Sequence, residues 1–381
     1  NNVMDFEFQK MINGIGMFRM TLFDESGSDI EEKIVKNKGT IKFRYGYNIN
    51  EEIMSPWYTG KVLNYSIDFQ TNGSIIHFSG VSLGWEMNAS KTFKGFNANQ
   101  KISDIVKEIG EQYGFEEKDM IIEPTKSVRT RDDQEKTENI NKSFLQKGET
   151  SLQFILSTLR TYAINEQGQG DYICFFEEID NKSKLHFHTK WYGELDEKAV
   201  PAFTQFKSKN SPVLKFTPTW NVSMFQLFGA GSTFTSSFDA DTKQYDVDFK
   251  HLQQDPQGSV SKDPRTNIEG EFPSSKDGKL NAFFSSSECF RTSAEAKASS
   301  ANTLSKFYAG SIGGTLDIIG TTNMVLISKI AVIIYQNHLK TTTSGKMVHW
   351  ISGYFRITKI VDRIKLGSFT TSLTLITDGR A

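Results

Sequence analysis

Residues 351–376 read Ile351-Ser-Gly-Tyr-Phe-Arg-Ile-Thr-Lys-Ile-Val-Asp-Arg-Ile-Lys-Leu-Gly-Ser-Phe-Thr-Thr-Ser-Leu-Thr-Leu-Ile376. In an extended chain Tyr354, Arg356, Thr358 and Ile360 point one way, and Phe355, Ile357, Lys359 and Val361 the other. After a turn at Leu366-Gly367-Ser368, Phe369, Thr371, Leu373 and Leu375 alternate with Thr370, Ser372, Thr374 and Ile376. Two period-two runs of β-branched and aromatic residues about a Gly-Ser turn predict a β-hairpin. Thr315–Ile319 and Met324–Tyr335 add two strands before it. Together they predict a closing sheet or barrel, against which the rest of the chain is built.

The N-terminal stretch from Asp5 to Trp85 carries the same signal. Met17–Phe23, Gly39–Tyr45, Trp57–Phe69 and Ser74–Leu83 alternate as strands, with Asn72-Gly73 as a hairpin turn. Short strands at this spacing predict a small antiparallel sandwich or barrel. The period then changes. Ile102, Ile105, Val106, Ile109 and Tyr113 form one apolar helical face, stopped by Gly114. Phe115–Pro124 reads as a short return strand, and 127–139 as a charge-mixed loop. A second helix starts at Thr150, which with Gln153 can form a capping box, and buries Leu152, Ile155, Leu156, Leu159 and Ala163. Strands 171–177 and 184–190 flank Asp180-Asn181.

Lys215–Gly229 returns to β structure. Thr235–Lys279 has weak periodicity, is broken at Asp255-Pro256 and Asp263-Pro264, and reads as an insertion rather than a core. Ala-rich Ser293–Tyr308 predicts a helix ended by Gly310–Gly314. The fold class expected is mainly β with α+β, holding two antiparallel β-barrels, an α/β domain and an inserted domain. The expected boundaries are 1–95 for the first barrel, 96–210 for the α/β domain, 211–235 with 312–381 for the second barrel, and 236–311 for the insertion. The two β regions suggest a structural pseudo-repeat without sequence identity.

A chain of 381 residues exceeds one compact core. Lys and Arg total 44 against 45 Asp and Glu, so no global field draws the protein to nucleic acid or anionic membrane. Its 30 Phe and only 8 Pro argue against disorder. No apolar run approaches the roughly 20 residues of a spanning helix, and the N-terminus lacks a signal pattern. Synthesis in a cytoplasm without a membrane span is therefore expected. Cys174 and Cys289 lie far apart and lack metal-site spacing, which predicts idle thiols.

Catalytic signatures are missing from the sequence. Gly310–Gly314 lacks the Lys-Ser/Thr ending of a phosphate loop, and no Gly-x-Ser-x-Gly elbow occurs. His186 and His188 share one strand face and could hold a metal, but no carboxylate or cysteine at matching spacing completes a ligand set. They read as surface or cross-strand histidines. Glu177 and Glu178 are adjacent on a strand, face opposite ways and cannot flank one glycosidic bond. The five Trp are scattered, as core or interface anchors are. No catalytic, cofactor-binding or metal residue is assigned, and no enzyme activity is expected.

The order of units, with Pro56-Trp-Tyr-Thr-Gly-Lys-Val-Leu-Asn-Tyr-Ser-Ile, Lys101-Ile-Ser-Asp-Ile-Val-Lys-Glu-Ile-Gly, Gln146-Lys-Gly-Glu-Thr-Ser-Leu-Gln-Phe-Ile-Leu and Gly353-Tyr-Phe-Arg-Ile-Thr-Lys-Ile-Val-Asp, resembles baseplate hub proteins of contractile-tailed phages. That group includes the late control protein D family and the hub part of the VgrG spike. The resemblance implies a virion structural protein that joins the hexameric tail tube to a trimeric central spike. It implies a homotrimer presenting six similar barrels, with the tail tube protein, central spike protein, other baseplate proteins and tape-measure protein as partners. DNA would only pass through the lumen. With no spike module after Ala381, the spike is expected as a separate chain. Two other classes stay open: a distal tail or tail-associated adaptor of a siphophage, and a cell-wall hydrolase, which the carboxylate geometry disfavours.

Overall fold

The computed structural model describes residues 3–25, 36, 38–47, 54–97, 100–127, 143–167, 169–179, 182–190, 192, 201–205, 211–220, 232–239, 244–251, 284–285, 312–334 and 352–377. The protein is mainly β, with antiparallel sheets and few helices. Its N-terminal unit holds β1 (Val3–Met11), β2 (Gly16–Asp24), β3 (Thr40–Phe43), β4 (Tyr58–Gln70) and β5 (Gly73–Ser82). The middle of the chain contributes β6 (Lys91–Phe96), helix α1 (Ile102–Gln112), β7 (Met120–Ile122), β8 (Phe144–Thr150), a second helical run, β9 (Tyr172–Ile179) and β10 (Lys182–Thr189). Then come β11 (Ala202–Gln205), β12 (Val213–Trp220), β13 (Ser232–Asp239), β14 (Gln244–His251), β15 (Phe284–Ser285), β16 (Ile312–Ile319), β17 (Lys329–Ile334), β18 (Gly353–Lys365) and β19 (Ser368–Thr377).

The C-terminal hairpin forms where its alternation predicts. Leu366 and Gly367 both take positive φ, 49° and 79°, the two-residue turn that matches strand twist. On β19, Phe369, Thr371, Leu373 and Leu375 are all buried. On β18 the expected phase fails halfway. Ile357 pairs with Leu375 and Lys359 with Thr374, so Thr358 is an extra, unpaired residue. This bulge flips the later side chains. Ile360, expected beside Tyr354 and Arg356, instead shares the buried cluster of Phe355 and Ile357. The carbonyl of Thr358 accepts from Ile12 N at 3.0 Å, which ties the bulge to the β1–β2 turn.

β1, not singled out as a strand from the sequence, is the seam of the molecule. It pairs antiparallel with β2 on one edge and with β18 on the other, from Asp5↔Lys365 to Met11↔Lys359. Both β regions therefore join one eleven-stranded sheet, along which the order runs β12-β16-β19-β18-β1-β2-β5-β4-β3. β17 pairs with β18 and with β11, which comes from within the stretch 96–210. The edge strand β12 contains Pro218, as an edge permits. No closed barrel is formed by the described residues.

The two ends of that sheet have one topology. β1-β2-β5-β4-β3 and β12-β16-β19-β18-β17 are the same antiparallel order in the same chain order. β4 and β18 are each 13 residues, and β5 and β19 each 10. Both long strands carry a bulge at their sixth residue, Leu63 and Thr358. β3 and β17 each pair with only the first four residues of the long strand. β1 and β12 both skip their second residue, Met4 and Leu214. The correspondence supports the structural repeat suggested by the sequence.

Between these units lies the mixed region. Helix α1 buries Ile102, Ile105, Val106 and Ile109, as the spacing predicts. Thr150 Oγ1 accepts from Gln153 N at 3.2 Å and starts the second helical run, which goes from Ser151–Phe154 through a π-helical turn at Ile155–Leu159 to Arg160–Tyr162. β7, β10 and β9 form a three-stranded sheet with a core on each face. Cys174, Phe176, Leu185 and Phe187 join the N-terminal and helical cluster, while Ile173 and Phe175 join the C-terminal one. Two close contacts lock this sheet to the N-terminal unit. Asn13, at φ 56°, donates its N–H to Cys174 O and accepts from Cys174 N. Gly84, at φ 77°, leaves no room for a Cβ, which would lie 2.1 Å from Phe176.

Several expectations need revision. The pairs β6–β8 and β13–β14 are strands where no strand was expected, the second lying mostly in the stretch read as coreless insertion. Gly313 and Gly314 lie within β16 rather than ending a helix. Met324–Ser328 precedes β17 as loop and turn. The Asn72-Gly73 turn shifts to Thr71-Asn72, since Gly73 already pairs with Gln70. The helix expected at 293–308 and most of 127–139 lie outside the described residues.

Phe8 sits on the seam strand, fully buried, 4.6 Å from the Tyr58 ring and 5.2 Å from Phe43. Phe8→Ala is expected to cost about 3–5 kcal/mol, read as a lowered urea midpoint at unchanged m-value.

Candidate functional site

The seam carries ions where a β core usually carries none. Phe8 pairs with Asp362 and Lys10 with Ile360 across β1 and β18. Asp362 is fully buried and Lys10 nearly so. The Asp362 carboxylate accepts from Tyr45 Oη at 2.6 Å and from Thr371 Oγ1 at 2.7 Å, and lies 3.7 Å from Lys10 Nζ. Thr371 Oγ1 also accepts from Thr321 N at 3.1 Å, so the cluster reaches the loop after β16. Burial pulls the Lys10 ammonium down, but Tyr58 and Asp362 outweigh it and hold Lys10 above its usual value. Burial, reinforced by Asp362, holds the Tyr45 hydroxyl far above its usual range, so it remains a donor. Burial also raises Tyr58, against the pull of Lys10. The carboxylate is held inside the core by two hydroxyl donors and an ammonium. Its geometry ties β1, β3–β4 and β18–β19 together.

Behind the cluster is a cavity of about 130 Å³, lined among others by Lys10, Tyr58, Glu177, Glu178, Met324 and Ile360. Glu177 and Glu178 do diverge in their contacts. Glu177 Oε2 lies 3.2 Å from His186 Nε2, while Glu178 accepts from Ser183 Oγ at 2.7 Å. Burial raises the Glu178 carboxyl and the Ser183 bond opposes it. The arrangement gives two separately engaged carboxylates, not a paired acid and base.

The histidines are buried, contrary to a surface reading, although the cross-strand relation holds through Phe175. His186 stacks on the Phe175 ring at 4.2 Å. His188 Nδ1 lies 2.7 Å from Thr189 O, so that nitrogen carries the proton, and His188 Nε2 accepts from His186 Nδ1 at 3.2 Å. His186 Nε2 then faces Glu177 at ion-pair distance but off a hydrogen-bonding line, and is otherwise unsatisfied. Burial pushes His188 down to about 4, with Thr189 O opposing. Among the described residues no three His, Cys, Asp or Glu side chains gather as a metal ligand set. Cys174 is buried and burial pushes its thiol up to about 12, which leaves it unreactive at neutral pH. Cys289 lies outside the described residues.

No described helix is long and apolar enough to cross a membrane. Exposed apolar side chains include Leu63 and Phe69 on β4, Phe93 and Leu145 on the β6–β8 ribbon, Leu214 on β12 and Leu366 in the last hairpin turn. Two more, Tyr65 and Val325, line surface cavities. The candidate functional feature is thus the pair of like sheet units and their edges.

No family model matches the chain, and no curated protein matches it. Solved structures do. The 43 kDa tail protein of prophage MuSo2 from Shewanella oneidensis superposes with a TM-score of 0.55 at 11% identity, over 99% of this chain and 95% of that one. A tail protein from Neisseria meningitidis gives 0.55 at 10% identity, over 99% and 93%. A type VI secretion component of Escherichia coli, described as structurally similar to bacteriophage T4 tail proteins, gives 0.53 at 9% identity, over 100% and 75%. The chain therefore has the fold of phage tail and related secretion proteins.

Two outcomes test the buried groups. Asp362→Ala should cost about 3–5 kcal/mol by leaving Lys10 uncompensated, and adding Lys10→Met should recover much of it, as measured by a urea double-mutant cycle. His188 is a base whose folded value lies below its ordinary 6.5. The unfolded chain therefore binds more protons between pH 6.5 and about 4, and stability should fall as pH drops through that window. The loss is about 3 kcal/mol at most, and thermal melts of His188→Gln should lack this component.

Proposed function

We propose that the chain is a structural virion protein, the central hub of a contractile-tail baseplate, and that it acts as a homotrimer. The observation that carries this reading is the matched topology of β1–β5 and of β12 with β16–β19, side by side in one sheet. A chain with two like units forms a ring of six when three copies assemble. Such a ring would match a hexameric tail tube on one face and a trimeric spike on the other. The fold of the tail proteins described above supports a tail role, and the engaged, inward-facing polar groups fit a part that does no chemistry.

In this reading the units correspond to tube-like barrels at 1–95 and at 211–235 with 312–381. The stretches 96–210 and 236–311 are peripheral or spike-facing. Partners are the tube protein, the central spike protein, other baseplate proteins and the tape-measure protein, with DNA passing through the lumen. Large, permanent interfaces are what such a part requires.

Light scattering of the purified protein should give three chain masses, and negative-stain end views should show six similar lobes. A hexamer would overturn the hub and favour a tail adaptor. Wall-digestion activity that Glu178→Gln abolishes would overturn the non-enzymatic role.

A further inference from the structure

Strands β9 and β10 place two histidines and a glutamate on one face of their sheet. Phe175 lies opposite His186 and Glu177 opposite Lys184, so Glu177 and His186 are diagonal neighbours on that face. His188 follows on the same strand, two residues further on. The tautomers decide what His186 offers. His188 Nδ1–H donates to Thr189 O at 2.7 Å, which leaves His188 Nε2 as an acceptor for His186 Nδ1–H at 3.2 Å. His186 Nε2 therefore carries a lone pair. It is buried, has no hydrogen-bond partner, and lies 3.2 Å from Glu177 Oε2. Two acceptors this close repel each other unless they share a cation.

We propose that His186 Nε2 and Glu177 Oε2 are the two protein ligands of a zinc-class divalent cation, with His188 as the positioning residue that holds His186 in its ligating tautomer. Zinc bonds of about 2.0–2.2 Å to two atoms 3.2 Å apart subtend roughly 100° at the metal, close to tetrahedral. A shared proton needs its two heavy atoms in line, whereas a shared metal needs them off line. The pair is off line, since a hydrogen on Nε2 does not reach Oε2 as a bond.

The surroundings suit this role. A ligating histidine commonly donates its other ring nitrogen to a fixed acceptor, as His186 does to His188 and His188 in turn does to Thr189 O. The His186 ring is also held by stacking on Phe175 at 4.2 Å. Glu177 and Glu178 both line the cavity of about 130 Å³, so that side of the site is acidic and has room for water. Lys10 reaches the same cavity, but its ammonium faces Asp362. Glu178 is engaged by Ser183. Among the described residues no third His, Cys, Asp or Glu completes a ligand set, so water takes the remaining positions and the cation exchanges readily. One imidazole with one carboxylate suits Zn²⁺ better than Mg²⁺ or Ca²⁺, which prefer oxygen alone. The cation would cross-link β9 and β10 in the sheet that serves both cores, and would stabilise the folded chain by mass action. The site stands whether or not the chain is a hub.

Metal titration of the full chain tests this, after chelator treatment and in a Cys289→Ser background so that this thiol supplies no ligand. Zn²⁺ is followed by calorimetry and Co²⁺ by its visible absorption, and circular dichroism confirms that each variant folds. The expected result is one equivalent of Zn²⁺ per chain, and Co²⁺ bands stronger than those of the octahedral aqueous ion. Glu177→Gln, at a partly exposed position, keeps the side-chain shape and should weaken binding more than about tenfold, and His188→Gln should weaken it by about 10–100-fold. His77→Gln removes the exposed imidazole that lies 3.4 Å from Asp68, and should leave affinity and spectrum unchanged. No saturable binding at millimolar Zn²⁺ overturns the proposal. Binding that survives Glu177→Gln but is lost in His77→Gln is adventitious surface binding and overturns it as well. A metal-free protein whose ¹⁵N shifts show His186 as an imidazolium, with no Zn²⁺ uptake, assigns the shared cation as a proton and overturns the metal.

Discussion

Everything in this molecule depends on β1 lying between β2 and β18. Without it the N-terminal and C-terminal units would be two separate sheets, although β1 and β18 lie at opposite ends of the chain. The backbone ladder from Asp5↔Lys365 to Met11↔Lys359 makes them one sheet. Closing so long a loop costs entropy, although that cost grows only slowly with length. The seam offsets it with Phe8, fully buried, and with the Lys10, Asp362, Tyr45 and Thr371 cluster. A buried ion pair contributes little net stability, but it penalises wrong registers heavily, since a one-residue slip of β1 along β18 would take Lys10 away from Asp362. The cluster is best understood as fixing register.

The same seam explains the position of the mixed region. Turn β1–β2 presents Asn13 to β9 and Ile12 to the β18 bulge. One tight turn thus touches the N-terminal unit, the C-terminal unit and the β7–β10–β9 sheet. That sheet can serve two cores because strand alternation sends Cys174 and Phe176 one way, and Ile173 and Phe175 the other. Its buried histidines then lie on the C-terminal side, with Phe175 and Glu177.

Much of this was legible in the sequence, and the gaps have physical causes. The hairpin 353–377, strands β2, β4 and β5, the face of α1 and the Thr150 cap each follow from local period or capping chemistry. The phase of β18 does not, because a bulge exists only relative to the partner strand's register. β1 alternates Phe6 and Phe8 with Glu7 and Gln9, so a signal was present, but its role as a seam depends on a partner 350 residues away. β6 and β8 are short and rich in Lys, Gly and Gln, with little apolar alternation to detect. The burial of His186 and His188 is a tertiary fact. Nothing within Lys184–Thr189 distinguishes a strand with one core from a strand with two.

The repeat itself was legible only as an order of elements, and the reason bears on function. The two units share strand lengths, bulge positions and pairings, yet they place different residues at equivalent sites: Phe8 against Pro218, Lys10 against Trp220, Ile67 against Asp362. Backbone geometry is kept while side chains diverge. That is the pattern expected if what must be repeated is the path of the strands, and if each unit meets a different neighbour. The β1 edge meets its own chain and can use ions that must be buried correctly once, during folding. The β4 strand carries Asn64, Ser66, Asp68 and Gln70 alternating with Tyr65, Ile67 and Phe69. Alternation of this kind puts the polar side chains on one face of the strand and the apolar ones on the other, in backbone geometry that both units keep.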